Sequence, residues 1–190
     1  MLIRCPWATK SNLLIDYHDS EWGVPKTNER ELFECLSLEM FQAGLTWNLI
    51  LKKRPAFKNV FDQFKIEQVS QFNQNDYSRL MSDASIIRNR AKIIATIHNA
   101  KMLQKMHQNG MTLSKLTWQP VNFKPIDHHL KPGQEPNANE LIKKYVKLFK
   151  KQGFKRVGPK TLYSYLQSIG VVNDHLITCF RHNQIKKEYD

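Results

Sequence analysis

Apolar residues recur at helical spacing along most of the chain. Asn28, followed three residues later by Glu31, resembles a capping box, which is a common start of a helix. The apolar positions after this start share one helical face. They are Leu32, Phe33, Leu36 and Met40. This pattern predicts a first long helix.

The same periodicity predicts a second helix over residues 46–53, stopped near Pro55, and the longest helix over residues 88–107. Gly110 is the stop signal of the longest helix. The stretch 120–136 carries four prolines and no clean period, which indicates an ordered surface connection. No segment is a convincing strand, so we expect an all-α fold.

Two further helices, joined by a short hairpin, are predicted toward the C-terminus. Asn137 with Glu140 predicts the start of the first helix, which ends at Gly153. Residues 162–168 predict the second helix. The hairpin between them, residues 153–161, reads Gly-Phe-Lys-Arg-Val-Gly-Pro-Lys-Thr.

The hairpin has the composition of a phosphate-binding turn. Its glycines let the backbone approach a partner closely. Gly158 before Pro159 predicts a helix N-terminus, whose free N–H groups suit a phosphate oxygen. Lys155, Arg156 and Lys160 add positive charge, and such contacts would position DNA without reading its sequence. The alternative interpretation is an ordinary helical hairpin with surface lysines.

The charge balance indicates a polyanionic partner. The 190 residues carry a formal net charge of +12 and a pI of about 9.7. Such an excess is typical of proteins that bind nucleic acid or an anionic membrane surface, although some small proteins are simply basic. The length and a hydrophobic content of 41% suit one domain, residues 1–190, with a buried core.

The sequence also predicts a compartment. No run approaches 18 apolar residues, so we expect no membrane span. The N-terminus lacks the apolar core of a signal peptide. Three cysteines, Cys5, Cys35 and Cys179, do not make a disulfide framework. These features predict a soluble protein of a reducing cytoplasm.

Two cysteines and two histidines near the chain ends have the composition of a structural zinc site. Cys5 and His18 lie near the N-terminus, and His175 and Cys179 near the C-terminus. The spacing of the second pair would put both side chains on one face of a helix. If all four converge, one ion ties the two ends together. The alternative is four unrelated groups, because neither pair has C-x-x-C spacing.

An acidic residue, Glu39, is associated with four aromatic residues. They are Trp7, Tyr17, Trp22 and Trp47. Aromatic faces can sandwich a base pulled out of a duplex, and a carboxylate can then read the edge of the base. Glu39 stands near the end of an apolar helical face, where a carboxylate is more often partly buried. The alternatives are core packing for each tryptophan and a solvated position for Glu39.

These features together resemble the bacterial 3-methyladenine DNA glycosylase I family. The resemblance covers most of the chain and is weak only across about residues 112–137. It is strongest over residues 5–7, 17–25, 39–47, 83–99 and 153–179.

The resemblance implies a helix-hairpin-helix glycosylase that excises 3-methyladenine from alkylated double-stranded DNA. It implies that Glu39 and Tyr17 hydrogen-bond the flipped base, that Trp47 stacks on it, and that Trp7 and Trp22 line the pocket. One structural zinc ion would join the termini through Cys5, His18, His175 and Cys179. The implied DNA contacts are Gln42, Gly44 and Leu45 beside the gap in the duplex, and Gly153, Lys155, Arg156, Gly158 and Lys160 in the hairpin.

Three departures from the family pattern bear on the shape of the pocket. Met40 and Phe41 stand beside Glu39, where the family commonly has smaller or more polar residues. Leu14 stands where some members have a pocket tyrosine. These positions leave open a glycosylase with an altered lesion range.

The chemistry follows from the substrate. Asn173 stands where many relatives in the superfamily carry a catalytic aspartate, but a base alkylated at N3 is already cationic and leaves without a proton. The hypothesis is that Glu39 selects the cationic base and water attacks the sugar. Asp174 is expected to cap a helix beside His175, with an acid–base role as the fallback.

No lysine occupies a recognisable Schiff-base position, so we predict a monofunctional enzyme that leaves an abasic site. We expect a monomer. The rival of another class is a zinc-stapled, non-enzymatic nucleic-acid-binding protein.

Overall fold

The computed structural model describes residues 2–136 and 138–187, and most of these residues are helical. Ten α-helices lie in these ranges: α1 (Asn12–Ser20), α2 (Glu29–Gln42), α3 (Trp47–Val60), α4 (Ile66–Ser70), α5 (Gln74–Ser82), α6 (Arg90–Gln108), α7 (Leu113–Trp118), α8 (Asn139–Lys151), α9 (Pro159–Ser168) and α10 (Phe180–Lys186). Short 3₁₀ helices cover Pro6–Lys10, Asp62–Phe64 and Gln119–Val121. No helix in the described part is long and apolar enough to cross a membrane.

Helix α2 begins where the sequence predicts. The Asn28 side chain accepts hydrogen bonds from the backbone N–H groups of Arg30 and Glu31, at 3.1 and 3.2 Å. These two bonds satisfy backbone N–H groups that have no acceptor inside the helix. The predicted apolar face is buried, and α2 packs against α3, α6, α7 and α9. Helix α2 is therefore at the centre of the molecule.

Helix α3 differs from the sequence prediction, which stopped it near Pro55. Pro55 lies inside the helix, and the helix continues to Val60. A proline removes one backbone hydrogen bond and tends to kink a helix. Here Phe57 and Val60 follow the proline and are buried in the core. Burial of these two side chains favours continuation of the helix.

The longest helix is α6, as predicted, and it begins at Arg90 rather than 88. Asn89 caps it by accepting a hydrogen bond from the Lys92 N–H at 3.1 Å. The chain turns away at Gly110, whose φ of 70° is the left-handed conformation that glycine adopts easily. Helix α6 packs on α4 and carries residues that support both the hairpin and the end of α2.

The described residues are mostly helical, as predicted, and a small parallel sheet is a local addition that the sequence did not predict. Strand β1 (Ile126–Asp127) pairs with β2 (Val172–Asn173), and Ile126 is opposite Val172. Each strand has two residues, which is too short for an alternating pattern to appear in the sequence. The pairing fixes the predicted connection, residues 120–136, beside the segment that follows α9.

The predicted hairpin joins α8 and α9. Gly158 occupies the N-cap position of α9 and Pro159 its first turn, as expected. Helix α6 holds the hairpin, because the Asn99 side chain accepts a hydrogen bond from the Lys155 N–H at 2.8 Å and donates one to the Lys155 carbonyl at 3.1 Å. Asn137, which was predicted to start the helix before the hairpin, lies outside the described residues. That helix is α8, and it begins at Asn139.

Gly170 ends α9 with a φ of 76°. A Cβ atom at this position would lie 2.5 Å from the Gly23 carbonyl oxygen and 2.6 Å from the Pro25 nitrogen. Only glycine permits this approach of two backbones. The contact holds the loop that carries Trp22 against the end of α9.

Candidate functional site

A cavity of about 480 Å³ opens between the N-terminal helices and the segments around β2. Its wall contains all five residues of the predicted aromatic and acidic cluster, together with Gln42. Residues from three other parts of the chain complete the wall. They are Cys5, Pro6, Leu130, Gly133, Gln134, Glu135, Pro136, Ser164, Gln167, Asp174 and Leu176.

Glu39 is a buried carboxylic acid without a protein partner. It lies in the last turns of α2 and is 5% exposed. Within the part of the chain that the structure describes, its carboxylate forms no hydrogen bond and no ion pair. Burial disfavours the charged form and raises the pKa of Glu39 to about 8. A buried polar group without a partner is costly, so the site is built to receive a donor from outside.

Tyr17 lies beside Glu39 in the cavity wall and is also buried. Its hydroxyl group has no hydrogen-bond partner among the described residues. Burial, and then the charge of Glu39, raise the pKa of Tyr17 well above its usual value. The phenol therefore stays protonated and can donate a hydrogen bond.

The three tryptophans form the aromatic part of the wall. The Trp7 and Trp22 rings pack edge to face, with centroids 5.0 Å apart. The Tyr17 and Trp47 rings pack at 5.3 Å. The indole nitrogen Nε1 of Trp47 is buried and has no hydrogen-bond partner in the described part of the chain. The aromatic residues thus line the cavity around Glu39 and also pack against neighbouring apolar side chains.

Lys92 supports this region and was not predicted from the sequence. Its buried ammonium group donates hydrogen bonds to the carbonyls of Phe41 and Ala43, both at 2.7 Å. These carbonyls lie at the end of α2, where the helix leaves acceptors unpaired. Burial, and then the charge of Arg156, lower the pKa of Lys92. A lysine within a helical apolar pattern gave no sign of this role.

Residues 42–45 comprise the last residue of α2 and the exposed turn that follows it, three to six positions after Glu39. Gln42 donates a hydrogen bond to the Leu45 carbonyl at 3.1 Å, and Gly44 has a φ of 84°. Leu45 is a large apolar side chain that is 36% exposed. Gln42 reaches the cavity wall, whereas Gly44 and Leu45 lie outside it. The exposed Leu45 side chain beside the cavity is therefore available to contact a bound partner.

Asp174 does not cap a helix, contrary to the prediction. Its carboxylate accepts hydrogen bonds from His128 at 2.5 Å, from Gln167 at 2.7 Å and from the Tyr163 hydroxyl. The residue lines the cavity, whereas Asn173 points its side chain to the carbonyl of His182. Three donors fix Asp174 as part of the wall. No short-range signal could reveal partners 7 to 46 positions away.

The positions that raised doubt about pocket shape lie in the core. Met40 is 1% exposed and Phe41 is fully buried, and neither lines the cavity. Leu14 does not line the cavity; it packs against Tyr17 and Leu51 in a small apolar cluster. Met40, Phe41 and Leu14 therefore pack behind the cavity wall. They do not define the surface that a ligand would touch.

The four predicted metal ligands converge at the ends of the chain. Their ligand atoms all lie within 4.8 Å of one another, and all four residues are buried. The Cys179 sulfur is 3.4 Å from His18 Nε2 and 3.6 Å from His175 Nδ1. The Cys5 sulfur is 3.8 Å from His175 Nδ1.

The residues around this Cys/His cluster orient both imidazole rings. His18 Nδ1 hydrogen-bonds Asp19 at 2.8 Å, which leaves Nε2 facing the sulfurs. His175 Nε2 hydrogen-bonds the Trp22 carbonyl at 3.0 Å, which leaves Nδ1 facing them. Ligating histidines usually have such a partner on the other ring nitrogen.

The Cys/His cluster fits a zinc ion. Zinc bonds of about 2.0–2.3 Å in a tetrahedron separate the ligand atoms by roughly 3.3–3.8 Å. The three measured distances, 3.4, 3.6 and 3.8 Å, fall in this range. Hydrogen bonds from Cys5, and then from the two histidines, lower the pKa of the Cys179 thiol. This site can therefore hold a thiolate, which is the form that binds metal.

The predicted helix over His175 and Cys179 is wrong. Residues 174–179 form turns between β2 and α10, and Cys179 precedes the first residue of α10. Contacts with distant segments hold this stretch, since Ile177 N–H donates to the Leu130 carbonyl and Phe180 N–H to the Ile3 carbonyl. A spacing of four can thus bring two ligands together without a helix.

The predicted DNA-contacting residues of the hairpin lie on the surface and not in the cavity. Lys155, Arg156 and Lys160 are exposed, whereas Phe154 and Val157 anchor the hairpin in the core. Arg156 adopts a left-handed φ of 58°, and Gly153 a φ of 83°. The hairpin therefore presents a basic edge on a fixed backbone.

Comparisons with known proteins agree with this geometry. The methyladenine glycosylase family matches residues 7–182. The chain is 41% identical over 177 residues to DNA-3-methyladenine glycosylase 1 of Escherichia coli (strain K12), which covers 93% of this chain and 95% of that protein.

Solved structures show the same similarity. A crystal structure of 3-methyladenine DNA glycosylase I matches with a TM-score of 0.84 and 40% identity, covering 94% of this chain and 98% of the other. A variant of 3-methyladenine DNA glycosylase I in complex with 3-methyladenine matches with a TM-score of 0.82 and 34% identity, covering 93% and 96%.

Proposed function

This chain belongs to the methyladenine glycosylase family, and from that premise we propose how its cavity removes 3-methyladenine from alkylated DNA. The observation that carries the proposal is the buried Glu39 carboxyl group beside an unpartnered Tyr17 hydroxyl, inside an aromatic cavity. One acceptor and one donor face the same space. A flipped purine supplies the complementary groups.

Recognition combines charge and stacking. The Glu39 carboxylate accepts hydrogen bonds from the cationic base and favours it over neutral adenine. Trp47 stacks on the base, and Trp7 and Trp22 form the remaining walls. Stacking of this kind contributes about 1–3 kcal/mol per base. Tyr17 donates a hydrogen bond to the base and fixes its orientation.

The reaction needs little acid catalysis because the base carries a positive charge before it leaves. When the C–N bond breaks, its electron pair goes to the base, which departs neutral. The sugar becomes positively charged, and the Glu39 carboxylate favours that charge. Water forms the new C–O bond and releases its proton to solvent. Met40 and Phe41 do not enter the cavity, so we assign the family's lesion class to this chain.

No step in this route uses a lysine. The residues that line the cavity in the described part of the chain include no lysine, and the buried Lys92 is held by two carbonyls. We therefore assign a monofunctional glycosylase that leaves an abasic site. Borohydride should trap no covalent protein–DNA adduct; an adduct would contradict this assignment.

DNA binding uses two surfaces, the turn after α2 and the hairpin between α8 and α9. The turn that holds Gln42, Gly44 and Leu45 lies beside the cavity, where these residues contact the gap left by the flipped base. The hairpin holds the sugar-phosphate backbone through Lys155, Arg156 and Lys160, with the N-terminus of α9 after Gly158. The net charge of +12 supports this role.

The Cys/His cluster holds one structural zinc ion. Cys5, His18, His175 and Cys179 are its ligands, and the ion contributes folding energy rather than chemistry. It joins residues near both ends of the chain beside the cavity wall, to which Cys5 and Trp22 belong.

A base-release assay on methylated DNA tests the proposed chemistry. Glu39→Gln removes the negative charge and keeps the shape, so excision should fall about 100-fold or more. The matched control is Glu31→Gln, which alters a partly exposed carboxylate on the same helix. The control should keep full activity. For the wild type, kcat/KM should rise with pH and level off above the Glu39 pKa of about 8.

The two outcomes that oppose the proposal are distinct. Full excision by Glu39→Gln would remove Glu39 from the mechanism. Binding of methylated DNA by the wild type without release of any base would support a non-enzymatic nucleic-acid-binding protein instead.

Substitution of the hairpin cations tests the DNA surface separately. The triple variant Lys155→Ala, Arg156→Ala, Lys160→Ala should weaken DNA binding and reduce the salt slope by about 0.9 for each lost phosphate contact. Lys143→Ala on α8 is the control, because Lys143 is exposed and pairs with Glu140. An unchanged salt slope in the triple variant would exclude the hairpin from phosphate binding.

A further inference from the structure

A second group of metal-binding side chains lies outside both sites already described. The ligand atoms of Asp127, His129 and His182 all lie within 4.8 Å of one another. Asp127 ends β1, His129 lies in the loop that follows, and His182 belongs to α10. We call these three residues the Asp/His group. They do not line the cavity.

The carboxylate of Asp127 has an oxygen without a hydrogen bond. Its side chain is 10% exposed. Oδ1 accepts hydrogen bonds from His182 Nε2 at 3.0 Å and from the His129 N–H at 2.9 Å. Oδ2 is buried and has no hydrogen-bond partner in the described part of the chain. His129 Nδ1 lies 3.6 Å from Oδ2, which is beyond hydrogen-bond distance.

The two imidazoles differ in exposure. The His182 side chain is 5% exposed and its Nδ1 faces Asn183 at 3.2 Å, so the ring has a fixed orientation. The His129 side chain is 61% exposed, and its ring lies 5.7 Å from the His182 ring. One side of the group is therefore closed by protein and the other is open to solvent.

The chemistry of these donors suits a divalent transition metal. Imidazole and carboxylate together bind zinc, and imidazole also suits copper and nickel. We propose that Asp127, His129 and His182 form a second metal site, which takes a divalent ion such as Zn²⁺ or Co²⁺ with water in the remaining positions. The ion gives the buried Oδ2 of Asp127 the partner that the protein does not supply.

Occupancy of this site has a structural consequence. The segment that follows His129 contributes Leu130, Gly133 and Gln134 to the cavity wall. An ion bound to the Asp/His group would fasten the start of this wall to α10. We therefore expect the ion to stabilise the folded chain, in addition to the contribution of the Cys/His cluster.

Metal stoichiometry of the untagged protein tests the proposal. Metal-stripped wild type is titrated with Co²⁺ and followed by elemental analysis and absorption. A cysteine-bound ion gives thiolate-to-cobalt charge-transfer bands, and an ion in the Asp/His group gives none. Two ions should bind the wild type, of which only one gives thiolate bands. Cys179→Ser should still bind the ion of the Asp/His group, which is the ion that gives no thiolate bands.

The matched variants change the Asp/His group alone. Asp127→Asn and His129→Asn should weaken the second ion by at least about 10–100-fold, the range seen for loss of an outer-shell partner, and keep the thiolate bands. Asparagine suits position 129 because the backbone there has a φ of 48°. His98→Ala is the control, since His98 bonds the Gly153 carbonyl and should leave both ions in place.

The exposed position of His129 means that its variant should stay folded, which circular dichroism checks. One ion in the wild type would overturn the proposal, because Asp127 and His182 would then form only a hydrogen-bonded pair. Two ions of unchanged affinity in Asp127→Asn and His129→Asn would also overturn it.

Discussion

The molecule has two buried polar centres that differ in how their groups are partnered. In the Cys/His cluster each imidazole has a second partner, Asp19 or the Trp22 carbonyl, and every ligand atom faces another. In the cavity, Glu39 and Tyr17 form no hydrogen bonds among the described residues. The residues of both centres are buried, at 0–3% exposed in the Cys/His cluster and 5–7% for Glu39 and Tyr17.

The difference teaches how a buried polar group can be interpreted. A centre whose groups orient one another is complete with one small ion, and such a centre stabilises the fold. A centre with an unpartnered acid and an unpartnered hydroxyl lowers stability until a ligand arrives. The first centre therefore supports structure and the second supports function.

The largest effect should come from the Cys/His cluster. Cys179→Ser should lower the free energy of unfolding by about 4 kcal/mol or more, a loss typical of a removed metal. Urea unfolding in the presence of zinc measures it. Cys35→Ser is the control, because Cys35 is a core thiol outside the cluster. Equal losses in the two variants would mean that the Cys/His cluster contributes no more to the free energy of unfolding than an ordinary core thiol.

The opposite sign is expected in the cavity. The pKa of Glu39 is about 8 in the folded protein, whereas an ordinary solvent-exposed glutamate, as in the unfolded chain, has a pKa of 4.5. Between these two pH values the folded state therefore binds more protons than the unfolded state. Wild-type stability therefore decreases as pH rises from 4.5 to 8. Glu39→Gln lacks this titration and should be the more stable protein at pH 8, by up to about 1.4 kcal/mol per pH unit crossed.

Thermal or urea unfolding of both proteins from pH 5 to pH 8.5 measures this difference. The contribution of the Cys/His cluster is common to both proteins and cancels. A constant difference across the pH range would show that Glu39 has no raised pKa.

A smaller effect is expected at Asp19, next to the proposed metal ligands. Asp19 orients His18 and forms an ion pair with Arg4 at 2.7 Å. Asp19→Asn should weaken zinc binding about 10–100-fold and leave excision unchanged at saturating zinc. Asp16→Asn alters an exposed carboxylate on the same helix and serves as the control. Lost excision at saturating zinc would mean that the two centres are not separate.

The smallest effect compares two tyrosine hydroxyls. Tyr17→Phe should lower kcat/KM about tenfold and leave the melting temperature unchanged or raised, because this hydroxyl has no partner in the protein. Tyr145→Phe should lower the melting temperature and leave kcat/KM unchanged, since the Tyr145 hydroxyl donates a hydrogen bond to the buried Thr117 carbonyl at 2.5 Å. Similar losses of stability in both variants would remove the distinction between the two centres.

Much of the fold was predictable because helical periodicity is a local signal. The start of α2 at Asn28, the long α6 and the turn at Gly158 all follow from residues within a few positions of one another. The continuation of α3 past Pro55 was not predictable, because it depends on burial of Phe57 against distant helices.

The candidate site was predictable in its residue types and not in its surroundings. The cluster around Glu39 and the four Cys and His residues can be found in the sequence because these residue types are rare or chemically distinctive. The support from Lys92, Asn99 and Asp174 could not be found, since their partners lie far along the chain. The wall from Leu130 to Pro136 was taken only as a connection for the same reason.

The separation of the proposed metal ligands along the chain has a consequence for biosynthesis. Cys5 and His175 are 170 positions apart, so a ribosome makes the first ligand long before the last. The cluster can assemble only when translation has passed Cys179, and a nascent chain released before His175 has at most two of the four residues. Completion of the cluster therefore reports that every residue up to Cys179 has been made.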